Sequence, residues 1–147
     1  MKKLIGIFCI IFWAGLLAGI SFLEAPLKFQ APGITIPLGL GIGQLVFQAL
    51  NKIEIVLLLI ILACSLPAPL KNICSVLLFS VTILLMADTF LLLPLLDERA
   101  NLVLAGHAPA KSYHHILYII IDTIKFLLLI ALGFLNLKSL YHEKRHS

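Results

Sequence analysis

His114-His115-Ile116-Leu117-Tyr118-Ile119-Ile120-Ile121-Asp122-Thr123-Ile124-Lys125 runs on into the apolar segment Phe126 to Leu137. Together they are long enough to cross a bilayer, yet an acid and a base lie inside the run. At about 100° per residue, His114, Tyr118, Asp122 and Lys125 share one helical stripe, with His115 at its edge. An ionisable pair within a span is costly, so it should face the protein interior or a water-filled cavity. The question is then what the rest of the chain offers that stripe.

The composition says the rest is also membrane-like. Of 147 residues, 61% are hydrophobic and 12% charged, and the mean hydropathy is +1.11. A soluble domain is roughly half apolar and about a quarter charged. The excess lies in four blocks at about 4–23, 44–66, 72–96 and 113–137, which predicts an all-α, integral membrane four-helix bundle forming a single domain over 1–147. The formal charge of +4 sits mainly at span ends, and no basic patch is interleaved with aromatics, so nucleic acid is not an expected partner. Cys9, Cys64 and Cys74 form no CxxC and are odd in number. They read as buried thiols, with no disulfide framework.

Met1-Lys2-Lys3 and the run Leu4 to Leu23 resemble the opening of a signal peptide. The run is too long for one, and Phe22-Leu23-Glu24-Ala25-Pro26 is a poor cleavage site, so a retained first span is expected. Gly15 and Gly19 form a GxxxG. It predicts close helix packing, or a homodimer or other membrane partner docked there. Pro26 and Pro32 should interrupt the helix, and Pro32-Gly33 signals a turn. Glu24 and Lys28 are spaced to pair if a helical turn persists.

Ile34 to Gly43, with Pro37, Gly39, Gly41 and Gly43, reads as a loop entering the second span; it lacks the features of a phosphate loop. That span opens on Gln44, Gln48, Asn51, Lys52 and Glu54 and then turns uniformly apolar. Gln44, Gln48, Asn51 and Lys52 share about 100° of its surface. Pro67-Ala68-Pro69-Leu70-Lys71 reads as a tight turn, and Asn72 as the N-cap of the third span. Asp88 and Thr89 lie inside that span, Pro94 should kink it, and Asp97-Glu98-Arg99 should close it. A polar loop, Ala100 to Ser112, follows.

In this topology Lys2, Lys3, Lys71, Lys138, Lys144 and Arg145 fall on one side, and Lys28, Arg99 and Lys111 on the other. The bias predicts both termini in the cytoplasm, in a bacterial inner membrane. Counting about 1.5 Å per residue from the cytoplasmic ends, Glu54, Asp88, Asp122 and Lys125 lie at roughly 18–24 Å. Lys52 and the His114/His115 pair lie just beyond. Spans two, three and four thus each bring charge to one level in the outer half. The expected site is Lys52, Glu54, Asp88, His114, His115, Asp122 and Lys125. Two readings stand: an internal ion-pair network that fixes register, or an outward-open polar cavity for a small or amphipathic ligand or a proton. Correspondingly, the chain is either a binding or transport module or a non-catalytic subunit of a membrane complex. No nucleophile motif points to an enzyme. No cofactor or metal is expected, since no second intramembrane histidine faces His114 or His115. His142-Glu143-Lys144-Arg145-His146 matches HExxH literally, but a third ligand is lacking and charged residues fill its variable positions.

Trp13-x-Gly15, Pro26-x-x-Phe29, Pro94 to Arg99 and the spacing His115-x6-Asp122 resemble a bacterial family. Its members are small four-helix membrane proteins of uncharacterised function, related to a human transmembrane protein associated with drug resistance. That family tends to carry a small polar residue or Asn where this chain has Asp122. The resemblance implies a four-helix integral membrane protein.

Overall fold

The computed structural model describes residues 1–65, 72–107 and 113–146. Four helices run antiparallel: α1 Lys2–Gln30, α2 Ile36–Ser65, α3 Ile73–Leu104 and α4 His114–His146. No strand occurs among the described residues. All four are long and apolar enough to cross a membrane. Their outward faces carry Phe8, Phe79, Phe90 and Phe134, each about two-thirds exposed. Water would penalise such a surface and a bilayer would not. The chain is a multi-pass membrane protein with the architecture of an all-α four-helix bundle.

The helices form a square. α1 packs on α2 and α4, while α3 lies along α4 in its first half and along α2 in its second. The half nearest the termini has a continuous apolar core of Ile10, Trp13, Leu17, Ile61, Leu85, Leu129 and Leu132. Close approach there occurs at Gly6 and Gly133. A Cβ on them would stand 3.4 Å from Cys64 Cβ and 3.5 Å from Ile10 Cγ2. Gly15 and Gly19 take no part in it: a Cβ at either meets nothing within 4 Å. The close helix packing expected of this pair is therefore not made within the chain.

The helices exceed their predicted spans, each for an identifiable reason. Pro26 does not end α1, because residues Ala18–Glu24 just before it adopt a π-helix. A proline ring collides with the carbonyl four residues back. A wide π turn, with hydrogen bonds to the fifth residue back, moves that carbonyl aside. Pro94 in α3 is preceded in the same way by the π segment Asp88–Leu92, so α3 continues past Asp97-Glu98-Arg99 to Leu104. It ends at Gly106, whose φ of +82° suits a left-handed helix terminus.

The stretch read as a loop, Ile34 to Gly43, is helical from Ile36. Thr35 caps it, accepting from the Leu38 N–H at 3.4 Å, and Pro37 sits in the first turn, where its missing N–H is harmless. The glycines are there for space. A Cβ at Gly39 would overlap the Phe29 ring, and one at Gly43 would stand 2.8 Å from Lys28 Nζ. The end of α1 can therefore lie directly on the start of α2. Between the two helices, Ala31-Pro32-Gly33-Ile34 makes a turn closed by Ile34 N–H donating to Ala31 O at 3.2 Å. Gly33 has φ +81°, as a type II turn with proline ahead of glycine requires.

Asn72 caps α3, accepting from the Cys74 N–H at 2.8 Å. Cys9, Cys64 and Cys74 are free thiols; Cys9 is buried and the others partly so. The predicted turn at residues 67–71 and the loop residues 108–112, with Lys71 and Lys111, lie outside the described residues. The same holds for the side chains of Glu143, Lys144 and His146 in the HExxH match.

Candidate functional site

All four helices converge on Lys125. Its ammonium lies 2.6 Å from Asp88 Oδ2 on α3, 2.9 Å from Asp122 Oδ1 on its own helix, and 3.1 Å from Glu54 Oε1 on α2. Glu54 Oε2 also accepts from it at 3.3 Å. From α1, the Trp13 indole N–H donates to Glu54 Oε1 at 2.7 Å, and the Ser21 hydroxyl donates to Asp122 Oδ2 at 2.6 Å. Glu54, Asp88, Asp122 and Lys125 are each no more than 1% exposed. Such burial is tolerable for charges only when they are paired and hydrogen-bonded.

Both π segments contribute to this centre. Asp88 opens the one in α3, and Ser21 lies within the one in α1. A π turn shifts the register of the residues beyond it, and such turns gather at functional sites. Here Asp88 meets Lys125 where the α3 segment begins, and Ser21 meets Asp122 within the α1 segment. Above the centre, α2 and α3 are joined by a polar ladder. Asn51 donates to Thr89 Oγ1 at 2.9 Å, Gln48 to Asp97 Oδ2 at 2.7 Å, and Gln44 to Asn101 Oδ1 at 3.3 Å.

Of the seven expected site residues, four meet. Lys52 does not join them and is exposed. Glu54 is two positions further on, about 200° around a helix, so α2 must turn Lys52 outward when it turns Glu54 inward. His114 and His115 sit near the start of α4, beyond the centre. His115, rather than His114, lines the cavity described next. It lies seven residues from Asp122, close to two full turns and hence on the same face. The residues missed are Trp13 and Ser21. Each is the first span's one donor of its kind, and a buried indole N–H or hydroxyl in a membrane requires an acceptor. Among the described residues no group of three or more His, Cys, Asp or Glu side chains is arranged to hold a metal ion.

Between the end of the bundle remote from the termini and the charged centre lies a cavity of about 510 Å³. It arises where α3 leans onto α2 and away from α4. Its walls carry Phe22, Phe29 and Phe47, and Tyr118 and Ser21 lie at its inner end. Tyr118 is one turn above Asp122 on α4, is 2% exposed, and packs against Phe47 at 5.2 Å between ring centroids. Lys28, Gln44, Asp97, Arg99 and His115 add polar side chains to the lining. Lys28 pairs with Glu24 at 3.3 Å, and its ammonium stands 5.0 Å from the Phe47 ring centre, a cation–π distance.

The chain matches no protein family, no curated protein and no solved structure. The functional reading therefore rests on the geometry of this centre and its cavity.

Proposed function

We propose that the chain is a bacterial inner-membrane protein, with both termini in the cytoplasm, that binds a small amphipathic molecule in the outward-facing cavity and serves its transfer through the membrane. The observation that carries this reading is the cavity of about 510 Å³. Its size falls within the range typical of small-molecule sites, roughly 300–1,000 Å³, and mostly apolar walls with a few placed polar groups are their usual lining. The aromatic rings would take an apolar body, and Lys28, Asp97 and Arg99 its polar end. The basic residues support this orientation: Lys2, Lys3, Lys138 and Arg145 stand at the end of the bundle that holds the termini.

Trp13 is the chain's one tryptophan, which makes energy transfer from it a specific reporter. In lipid nanodiscs, an anilinonaphthalene sulfonate, with an aromatic body and an acidic head, should quench Trp13 saturably. Gly43→Leu, which places a side chain in the cavity, should abolish the saturable component. Transfer that rises linearly and equally in both proteins would mean partition into lipid alone and would overturn the binding reading. In intact cells, a cysteine at Ala31 should react with an impermeant thiol reagent; lack of reaction until permeabilisation would overturn the orientation.

A further inference from the structure

We propose that the centre formed by Glu54, Asp88, Asp122 and Lys125 is a proton-binding site, with Asp88 the carboxyl that loads and unloads and the cavity its route to water. Three carboxyls surround one ammonium. If all were ionised, the centre would hold two more negative than positive charges with at most 1% exposure for any member. Among the described residues, the ion pairs of these carboxyls are all with Lys125. From α1 the centre is faced by the Trp13 indole and the Ser21 hydroxyl, from α2 by Glu54, from α3 by Asp88, and from α4 by Tyr118, Asp122 and Lys125. The remaining ionisable groups, Lys28, Asp97, Arg99 and His115, line the cavity. A buried excess of charge is relieved by taking up protons.

Hydrogen bonds and ion-pair contacts together single out Asp88. Both oxygens of Glu54 are engaged by Lys125, and Oε1 also by Trp13. In Asp122, Oδ2 accepts from Ser21 and Oδ1 makes an ion-pair contact with Lys125 but no hydrogen bond. Asp88 Oδ2 likewise has an ion-pair contact with Lys125 and no hydrogen bond, but Asp88 Oδ1 is buried with neither. Its lone pairs are the vacant place for a proton.

Access is one-sided. Towards the termini the centre rests on Trp13, Leu17, Leu85 and Leu129, all fully buried. Away from them, Ser21 and Tyr118 face the cavity. A continuous chain leads inward from Ser21 to Asp122 at 2.6 Å, from Asp122 to Lys125 at 2.9 Å and from Lys125 to Asp88 at 2.6 Å. In the loading step, a hydronium ion in the cavity gives a proton to Ser21 Oγ and becomes water, as the Ser21 hydroxyl hydrogen passes to Asp122 Oδ2. Lys125 then gives a proton to Asp88 Oδ2, the Asp88 carboxyl turns so that its O–H takes the vacant side, and the neutral Lys125 amine takes the proton of Asp122 once that carboxyl has turned its O–H towards it. Ser21, Asp122 and Lys125 end as they began, and Asp88 has gained one O–H bond.

The test is infrared difference spectroscopy of the full chain in nanodiscs, stepped in pH in H2O and in D2O. The wild type should show the carbonyl stretch of a protonated carboxylic acid, shifted in D2O. Asp88→Asn should remove that band and Asp88→Glu should move it, while Asp97→Asn leaves it in place. Absence of the band in the wild type, or its survival unchanged in Asp88→Asn with wild-type Trp13 emission, would overturn the site. For access, a cysteine at Ala25 on the cavity wall, with Cys9, Cys64 and Cys74 changed to Ala, would be modified with a bulky thiosulfonate. Modification should slow deuterium exchange of the band; an unchanged rate would overturn the route. Neither result depends on whether the sulfonate probe binds.

Discussion

The two halves of this bundle solve different problems with the same helices. In the half that holds the termini, regular α-helices interlock through Ile10, Leu17, Ile61, Leu85, Leu129 and Leu132. In the other half, two helices pass through π segments, α3 shifts from α4 to α2, and a cavity remains between them. The charged centre sits at the join. Lipid supplies little hydrophobic drive for helix association, so membrane bundles depend on packing and on polar contacts between helices. The apolar half relies on packing. The open half gives some of it up and is held by Lys125, by the Asn51, Gln48 and Gln44 ladder and by the seating of α1 on Gly39 and Gly43. The difference teaches that a cavity in such a bundle is kept open by directional bonds at its base.

The sharpest way to break that comparison is to remove the cation. Lys125→Met leaves three buried carboxyls with no positive partner and should cost about 3–5 kcal/mol, the range for breaking a buried pair from one side. Glu54→Gln keeps the shape and weakens two contacts, so it should cost less. The double variant should lose less than the sum by about 1 kcal/mol or more, as contacting residues do. Reversible denaturation in mixed micelles gives all three values. Strict additivity would mean that Lys125 and Glu54 do not sense each other, and the open half would then need another source of cohesion.

A smaller effect separates the π segment from the bond it delivers. Ser21→Ala removes the donor to Asp122 but leaves Pro26, which accounts for the wide turn. The loss should be about 1 kcal/mol, since single hydrogen bonds within membranes are modest. The unfolding enthalpy should fall while the helix content by circular dichroism stays constant. A drop in helix content would show that the hydroxyl, and not the proline, maintains the π turn.

How far the sequence reveals this design depends on the kind of signal. Four long apolar runs declare the four helices directly, because bilayer thickness sets their length. Glu54, Asp88, Asp122 and Lys125 stand out because charge inside such runs is rare. The helix ends were harder to read. Proline and glycine near Pro26, Gly39 and Pro94 look like breaks, yet here they are accommodated by π turns or used for close contact, and only the neighbouring helix decides which. The Trp13 and Ser21 partnerships were hidden for a similar reason: neither residue is charged, and the register that brings Ser21 to Asp122 includes an inserted π turn that a fixed period of 3.6 does not anticipate. Depth alone groups Lys52 with Glu54, although the angle between them sets them on opposite faces.

That last pair gives the smallest expected effect and a clean control. Lys52 and Glu54 stand at nearly the same depth on α2, and one is exposed while the other is 1% exposed. A lysine at a helix surface can extend its flexible stem along the apolar exterior and carry the ammonium towards the headgroups. Its charge is then met by water and phosphate rather than by Glu54. Lys52→Met should therefore change stability by no more than about 0.5 kcal/mol, as surface substitutions do. It should also leave the pH response of the centre as it is in the wild type. The contrast with Lys125→Met, a chemically identical change at another position on the bundle, would isolate what burial does to a lysine. A loss for Lys52→Met approaching that of Lys125→Met would place Lys52 within the network and undo the assignment of faces on α2.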